Sequence, residues 1–220
     1  MRLALFDLDN TLLAGDSDYE WGQFMCDRGV VDRAQYEAQN RVYYEQYVAG
    51  TLDIHEYLGF ALRPLANHAP DELARWHAEF MRARIAPMIL PAARALVRRH
   101  LQAGELCAII TATNSFVTAP IAREFGVEHL IATEPERANG RFTGQVAGIP
   151  CFRDGKLTRL DAWLRGLGRR LDHFAASTCY SDSHNDLPLL ERVTRPVAVD
   201  PDDTLAREAE RRGWERISLR

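Results

Sequence analysis

Arg2-Leu-Ala-Leu-Phe-Asp7-Leu-Asp9-Asn-Thr11-Leu-Leu13 opens the chain. A short apolar run ends abruptly in two aspartates two residues apart, then a threonine. The run reads as a buried strand. In open α/β sheets, ligand chemistry gathers beyond the carboxyl ends of such strands. Two carboxylates so close together are costly unless a divalent metal, a metal-held phosphate or a shared proton offsets them. An Asp-x-Asp is also ordinary turn chemistry, so the rest of the chain has to decide.

Apolar and polar segments alternate over most of the 220 residues. Strand patterns fall at 2–7, 105–111, 129–133, 174–180, 195–199 and 215–218. Helical periodicity lies between them, at 92–103, 115–125, 156–167, 185–191 and 204–212. That order predicts α/β architecture, a Rossmann-like doubly wound parallel sheet. Residues 17–84 break the alternation. Four helical patterns run there, at 19–28, 32–48, 54–65 and 71–84, with Asp32 and Asp71 as expected N-caps. A parallel crossover needs only a dozen or so residues. The chain therefore divides into an α/β core, residues 1–16 and 86–220, and an all-α cap domain inserted after the first strand, residues 17–85. A cap in that position can cover the Asp7–Asp9 site and exclude water. Residues 139–146, around Asn139-Gly140, read as a small hairpin.

Composition narrows the function. The 46% apolar and 26% charged content suits a globular chain, and a net charge of −4 gives no reason to expect nucleic acid. No apolar stretch reaches the roughly 18 residues of a membrane span, and the first residues do not read as a secretory leader. The expected compartment is the cytoplasm and the expected partner a small molecule; oligomeric state is not legible. Of four cysteines, Cys107 and Cys179 read as buried thiols, Cys26 forms no Cys-x-x-Cys pair, and Cys151 stands in a loop-like segment as a candidate pocket wall.

Three more stretches carry polar residues at a strand or helix end. Ile109-Ile-Thr111-Ala112-Thr113-Asn-Ser115 reads as a strand whose hydroxyls open a helix, a ready phosphate site. Arg153-Asp-Gly155-Lys156 starts another helix. A lysine in the first turn opposes the helix dipole, so either its charge is wanted elsewhere or it is a solvated surface group. Tyr180-Ser-Asp182-Ser-His-Asn185-Asp186 puts two further acids after a strand.

In order, these stretches read Asp-x-Asp-x-Thr, strand-then-Thr, Lys, Asp-x-x-x-Asp. The set resembles the four-motif signature of the haloacid dehalogenase superfamily of hydrolases. The helical insert is similar to that of the phosphoserine-phosphatase-like branch, subfamily IB. The resemblance implies a phosphatase that hydrolyses a small phosphomonoester through an aspartyl-phosphate. Asp7 would be the nucleophile and Asp9 the general acid, then base. Lys156 would offset charge, and Thr111, the Ala112 backbone N–H, Lys156 and Asn185 would bind phosphate. It implies Mg²⁺ held by Asp7, the Asp9 carbonyl and Asp182, with Asp186 orienting metal-bound water or Lys156. The sequence departs from that branch in two places. Ser181-Asp182-Ser183 stands for Gly-Asp-Gly, and Asp16 stands where phosphoserine phosphatases carry a glutamate.

Substrate choice is expected in the cap and in residues 14–21. The candidates are Asp16, Glu20, Trp21, Arg41 and Tyr44. Acids beside aromatics suit an amine, which would make the substrate a phosphorylated amino acid or amino alcohol; aromatics at helical spacing are more often packing, and the acids equally suit caps of the helix near Tyr19. A phosphotransferase or mutase with the same aspartyl-phosphate step, and a non-catalytic phosphate-binding regulatory module, are the alternative classes.

Overall fold

A computed structural model describes all 220 residues. The chain runs β1 (Arg2–Phe6), α1 (Ser17–Asp27), α2 (Arg33–Ala49), α3 (Ile54–Ala66) and α4 (Pro70–Phe80). A π-helical turn at Met81–Ile85 leads into α5 (Ala86–Met88) and α6 (Pro91–Gln102). Then come β2 (Leu106–Asn114), α7 (Ser115–Glu124), β3 (His129–Thr133), β4 (Pro135–Ala138), β5 (Arg141–Val146) and α8 (Asp154–Gly166). The chain ends with β6 (Ala176–Ser181), α9 (Leu187–Leu190), β7 (Arg195–Val199), α10 (Asp203–Arg212) and β8 (Glu215–Ile217).

Six strands form one parallel sheet in the order β3-β2-β1-β6-β7-β8. β4 and β5 make the separate hairpin read from residues 139–146. The alternation of β1 explains its central place. Leu3 and Leu5 face one apolar cluster with residues of α8, α9 and α10, while Ala4 and Phe6 face another with α6 and α7. A strand buried on both faces reads as a continuous apolar run, and both faces need helices over them.

The cluster under Ala4 and Phe6 does not stop at the edge of the α/β core. It continues through Trp21, Met25, Leu58, Leu62, Leu65, Leu73 and Phe80, so the inserted helices share their apolar packing with the sheet. The chain enters and leaves the insert side by side: Leu13 bridges Ile89, and Ala14 N–H donates to the Met88 carbonyl at 2.8 Å. α3 lies on the hairpin at Gly144, where a Cβ would stand 3.3 Å from Ala66 Cβ. The backbone there has φ +83°, which glycine adopts without strain.

Several expectations change. Asp71 does not cap its helix. Ala69 is the N-cap without a side-chain bond, and Pro70 starts α4, since a missing N–H costs nothing in the first turn. The periodicity at 71–84 is split by the π-helical turn. β2 runs on to Asn114, past the expected end at 111, while the helix starts at Ser115 as expected, with Asn114 as its cap. Cys151 is fully buried, its thiol directed to the Ile131 carbonyl, and burial pushes that thiol up to about 12. It is core, not pocket wall. No helix is long and apolar enough to cross a membrane.

Candidate active site

The sheet order makes the site. β2, β1 and β6 are neighbours, and Phe6 is in register with Ile109 on one side and Tyr180 on the other. Asp7, Thr111 and Asp182 therefore emerge together at one edge. Asp7 N–H still donates to the Tyr180 carbonyl at 2.9 Å, which fixes the backbone of the carboxylate.

Lys156 reaches this edge from the first turn of α8. It is 3% exposed, so it is no surface lysine. Its Nζ donates to Asp7 Oδ1 at 2.9 Å and to Asp186 Oδ2 at 2.7 Å. Burial works against the ammonium, but Asp186 and Asp7 outweigh it and hold it well above the usual lysine range. Gly155 permits the approach. A Cβ there would meet the Pro150 carbonyl oxygen at 2.0 Å, a backbone clash no rotamer relieves. Ser181 Oγ also donates to Asp186 Oδ2, at 2.7 Å.

The Thr11 hydroxyl lies between two carboxylates, 3.0 Å from Asp7 Oδ2 and 3.1 Å from Asp182 Oδ1, and accepts from Asp182 N–H at 3.0 Å. Its one proton serves both acids. Burial, helped by Asp186 and Asp9, pushes Asp7 up to about 6 against the pull of Lys156. Burial, then Asp7 and Asp186, hold Asp182 well above the carboxylate range. Two carboxylates thus hold one ammonium and a third, Asp182, lies beside Asp7 across Thr11, an arrangement short of positive charge. A divalent cation fits here. Asp7 and Asp182 offer carboxylate oxygens, and no donor in the chain bonds the Asp9 carbonyl. No cluster of three or more His, Cys, Asp or Glu side chains is set to ligate a metal. One or two carboxylates plus water is what Mg²⁺ takes.

Asp9 sits beside this cluster and faces the inserted helices. Its Oδ1 accepts from Ser17 N–H at 2.7 Å, and its Oδ2 from Thr113 Oγ1 at 2.8 Å and, more weakly, Thr111 Oγ1 at 3.4 Å. The two threonines reach it because β2 loses register with β3 between Ile110 and Asn114; such irregularities re-aim side chains. Burial and the nearby Asp16 push Asp9 up to about 6, against the Ser17 and Thr113 bonds. The Ala112 carbonyl accepts from Thr133 Oγ1 at 2.7 Å. Asn185 is buried, with its Oδ1 taken by Arg153 Nε at 2.9 Å.

The same geometry gives each residue expected to choose the substrate its own surroundings, of which only those of Asp16 adjoin Asp9. Asp16 is the N-cap of α1, accepting from Asp18 N–H and Tyr19 N–H. Glu20 pairs with Arg84 at 3.2 Å. Trp21 is packed among Phe24, His77, Phe80 and Phe116, because a large aromatic on the buried face of α1 fills core. Arg41 and Tyr44 lie on the exposed face of α2, Tyr44 at 64%. They sit out of phase with Tyr36, Tyr43 and Tyr47, whose spacing of seven and four keeps one helical face inward.

Other residues make the contacts between insert and core. Asp18 is buried and accepts from Tyr57 Oη of α3 at 2.6 Å and from Asn114 Nδ2 at 3.2 Å. Burial pushes it up to about 6, against the Tyr57 bond. Tyr47 Oη lies 2.8 Å from Ser183 Oγ. The available signal was inward helical phase for the tyrosines and, for Asp18, its place one turn ahead of the buried Trp21 face.

A family model, haloacid dehalogenase-like hydrolase, matches residues 4–191. The chain belongs to the haloacid dehalogenase-like hydrolase family. It is 46% identical over 214 residues to a histidinol-phosphatase of Neisseria meningitidis serogroup C (strain 8013), covering 97% of this chain and 96% of that one. A crystal structure of a protein with unknown function from Bordetella pertussis Tohama I matches with a TM-score of 0.95 and 53% identity, over 100% and 99% of the two chains. A substrate-bound phosphoserine phosphatase shares the fold, with a TM-score of 0.70 at 16% identity, over 98% and 91%. The doubly wound sheet is the fold of this family, and the chain is a phosphatase.

Proposed function

We propose that the chain hydrolyses the phosphomonoester of a small amino alcohol, histidinol phosphate being the first substrate to test, through an aspartyl-phosphate on Asp7. The observation that carries the reaction is the buried Lys156 bonded to Asp7 and Asp186, with Asp182 joined to Asp7 through the Thr11 hydroxyl. A carboxylate attacking a phosphate dianion faces like-charge repulsion, and the Lys156 ammonium beside Asp7 Oδ1 offsets part of it. Mg²⁺, held by Asp7, Asp182 and the Asp9 carbonyl, would supply the remaining positive charge for the phosphoryl oxygens.

In the first step an Asp7 oxygen forms a bond to phosphorus, the ester P–O bond breaks, and the leaving alkoxide takes the Asp9 proton. In the second, Asp9 takes a proton from water, the water oxygen bonds phosphorus, and the Asp7–phosphorus bond breaks. Orthophosphate and a free Asp7 carboxylate result. A general acid raised to about 6 keeps a proton near neutral pH more readily than an ordinary aspartate. Thr111, the Ala112 N–H and Asn185 stand as donors to the phosphoryl oxygens.

The substrate reading rests on charge. Asp9, Asp16 and Asp18 take their hydrogen bonds from backbone N–H, hydroxyl and amide groups, not from a lysine or arginine. The buried Ser17 hydroxyl, next to the N–H that bonds Asp9, has no partner. An acid-rich, cation-poor wall suits a substrate carrying its own positive charge, and histidinol phosphate carries an amine and an imidazole. The 46% identical histidinol-phosphatase supports the same choice. A phosphate-release screen with Mg²⁺ over histidinol phosphate, phosphoserine, phosphoethanolamine and neutral esters tests it. The amine-bearing alcohol esters should lead. Equal rates for neutral esters would refute the substrate assignment, and undiminished release after chelation would refute the metal.

A further inference from the structure

Arg153 occupies a backbone conformation that belongs to glycine, with φ 50° and ψ −122°. A side chain there is strained, and such strain persists where surrounding contacts over-determine it. The guanidinium supplies those contacts. Its Nε donates to Asn185 Oδ1 at 2.9 Å and its Nη2 to the Gly50 carbonyl at 2.7 Å, with the Phe152 ring centroid 5.0 Å away. One side chain therefore joins the start of α8, the loop after β6 and the end of α2.

Gly50 is the left-handed C-cap of α2, at φ 72°, and a Cβ there would stand 3.1 Å from Arg153 Nη2. One turn earlier on α2, Tyr47 bonds Ser183. The end of α2 is thus tied to the loop of residues 181–186 directly through Tyr47 and indirectly through Arg153.

The consequence for Asn185 follows from amide chemistry. Its oxygen only accepts and its nitrogen only donates. With Arg153 Nε–H on Oδ1, the Nδ2 group must face the other way, toward Ser183 Oγ at the long distance of 3.5 Å and the Tyr47 hydroxyl. Nδ2 is left with donor capacity for a phosphoryl oxygen.

We propose that Arg153 is a positioning residue: it aims the Asn185 amide at the phosphoryl group and, through Gly50, makes that aim depend on α2 being seated over the site. This rests on the phosphatase reading in which Asn185 binds phosphate.

Arg153→Gly removes the side chain and relieves the backbone, so the variant should fold with an unchanged or higher Tm. With p-nitrophenyl phosphate and Mg²⁺ its kcat/KM should fall on the order of 10²-fold, the cost of a misplaced group. Its Kd for orthophosphate, measured by calorimetry, should rise about tenfold, as for loss of one hydrogen bond. Arg153→Lys should not rescue either value, because one ammonium does not reproduce the two divergent N–H bonds. In an Asn185→Ala background, Arg153→Gly should cost less than about twofold more, the sign of a shared role. A full loss in that background, rescue by lysine, or wild-type kcat/KM and Kd in Arg153→Gly would each overturn the proposal. A lowered Tm with unchanged kinetics would make Arg153 a structural latch only, which also overturns it. Failure of the wild type to hydrolyse the ester would refute the phosphatase mechanism instead, and orthophosphate binding would still decide the role of Arg153.

Discussion

On the phosphoryl side of the site, Asp7, Thr11, Lys156, Asp182 and Asp186 stand just beyond strand ends or in the first turn of a helix, each within bonding distance of another. On the cap side, Asp18 of α1 and Tyr47 of α2 bond across to Asn114 and Ser183 of the core, and Tyr57 of α3 bonds Asp18 within the cap. The first group is mutually dependent: Lys156 bonds both Asp7 and Asp186, and Thr11 bonds both Asp7 and Asp182, so each member is held by another. The second is a set of separate contacts on helices whose packing rests on other residues, such as Leu58, Leu62 and Leu65. On the proposed reading, reaction and substrate choice fall to these two regions, which can vary separately.

The largest expected effect breaks the phosphoryl side alone. Asp7→Asn keeps shape and removes the nucleophile, so steady-state turnover should fall by about 10⁴-fold or more, as when other covalent nucleophiles are lost. Tm should not fall, since Lys156 keeps Asp186. A collapsed Tm would mean that the cluster is foremost structural.

A smaller effect should appear when the cap side is changed. Asp18→Asn keeps the size of the side chain and removes one charge from the cation-poor wall. Its kcat/KM for histidinol phosphate should drop by roughly 10- to 100-fold, the range of a hydrogen bond to a charged group, while that for p-nitrophenyl phosphate stays near wild type. Equal losses on both esters would erase the distinction between the two regions.

The smallest effect is on stability against pH without metal. Asp7, Asp9 and Asp18 are raised from 3.8 to about 6, each first by burial. Between those values the folded chain binds more protons than the unfolded chain, so stability falls as pH rises from about 4 to about 6. These groups should give a Tm higher by roughly a few degrees at pH 5 than at pH 7 with chelator. Mg²⁺ should reduce the difference, and Asp18→Asn should remove part of it. A Tm that rises with pH over this range would contradict the assigned burial.

The same contrast decides what the sequence makes legible. The strands at 129–133 and 195–199 read to the residue, and the others to within three, because short buried runs end where their chemistry begins. Lys156 was legible only beside the other acidic stretches: alone, a lysine in a first turn reads as a solvated group, whereas two buried carboxylates, Asp7 and Asp186, give it its partners. The cap was legible as helices but not as contacts. Tyr44 and Tyr47 have the same composition signal and differ only in helical phase, which decides that one is exposed and the other bonds Ser183. Trp21 stands among the substrate candidates although helical spacing favours packing, and the surrounding rings place it in the core. Arg153 was illegible because arginine is not a residue that announces a left-handed backbone.

Phosphorylation of Asp7 is the step on which the proposed hydrolysis turns. Wild-type protein turning over histidinol phosphate with Mg²⁺, quenched in acid and digested, should carry a phosphoryl group on the peptide containing Asp7, absent from Asp7→Asn. No adduct at any quench time, together with undiminished phosphate release by Asp7→Asn, would contradict it.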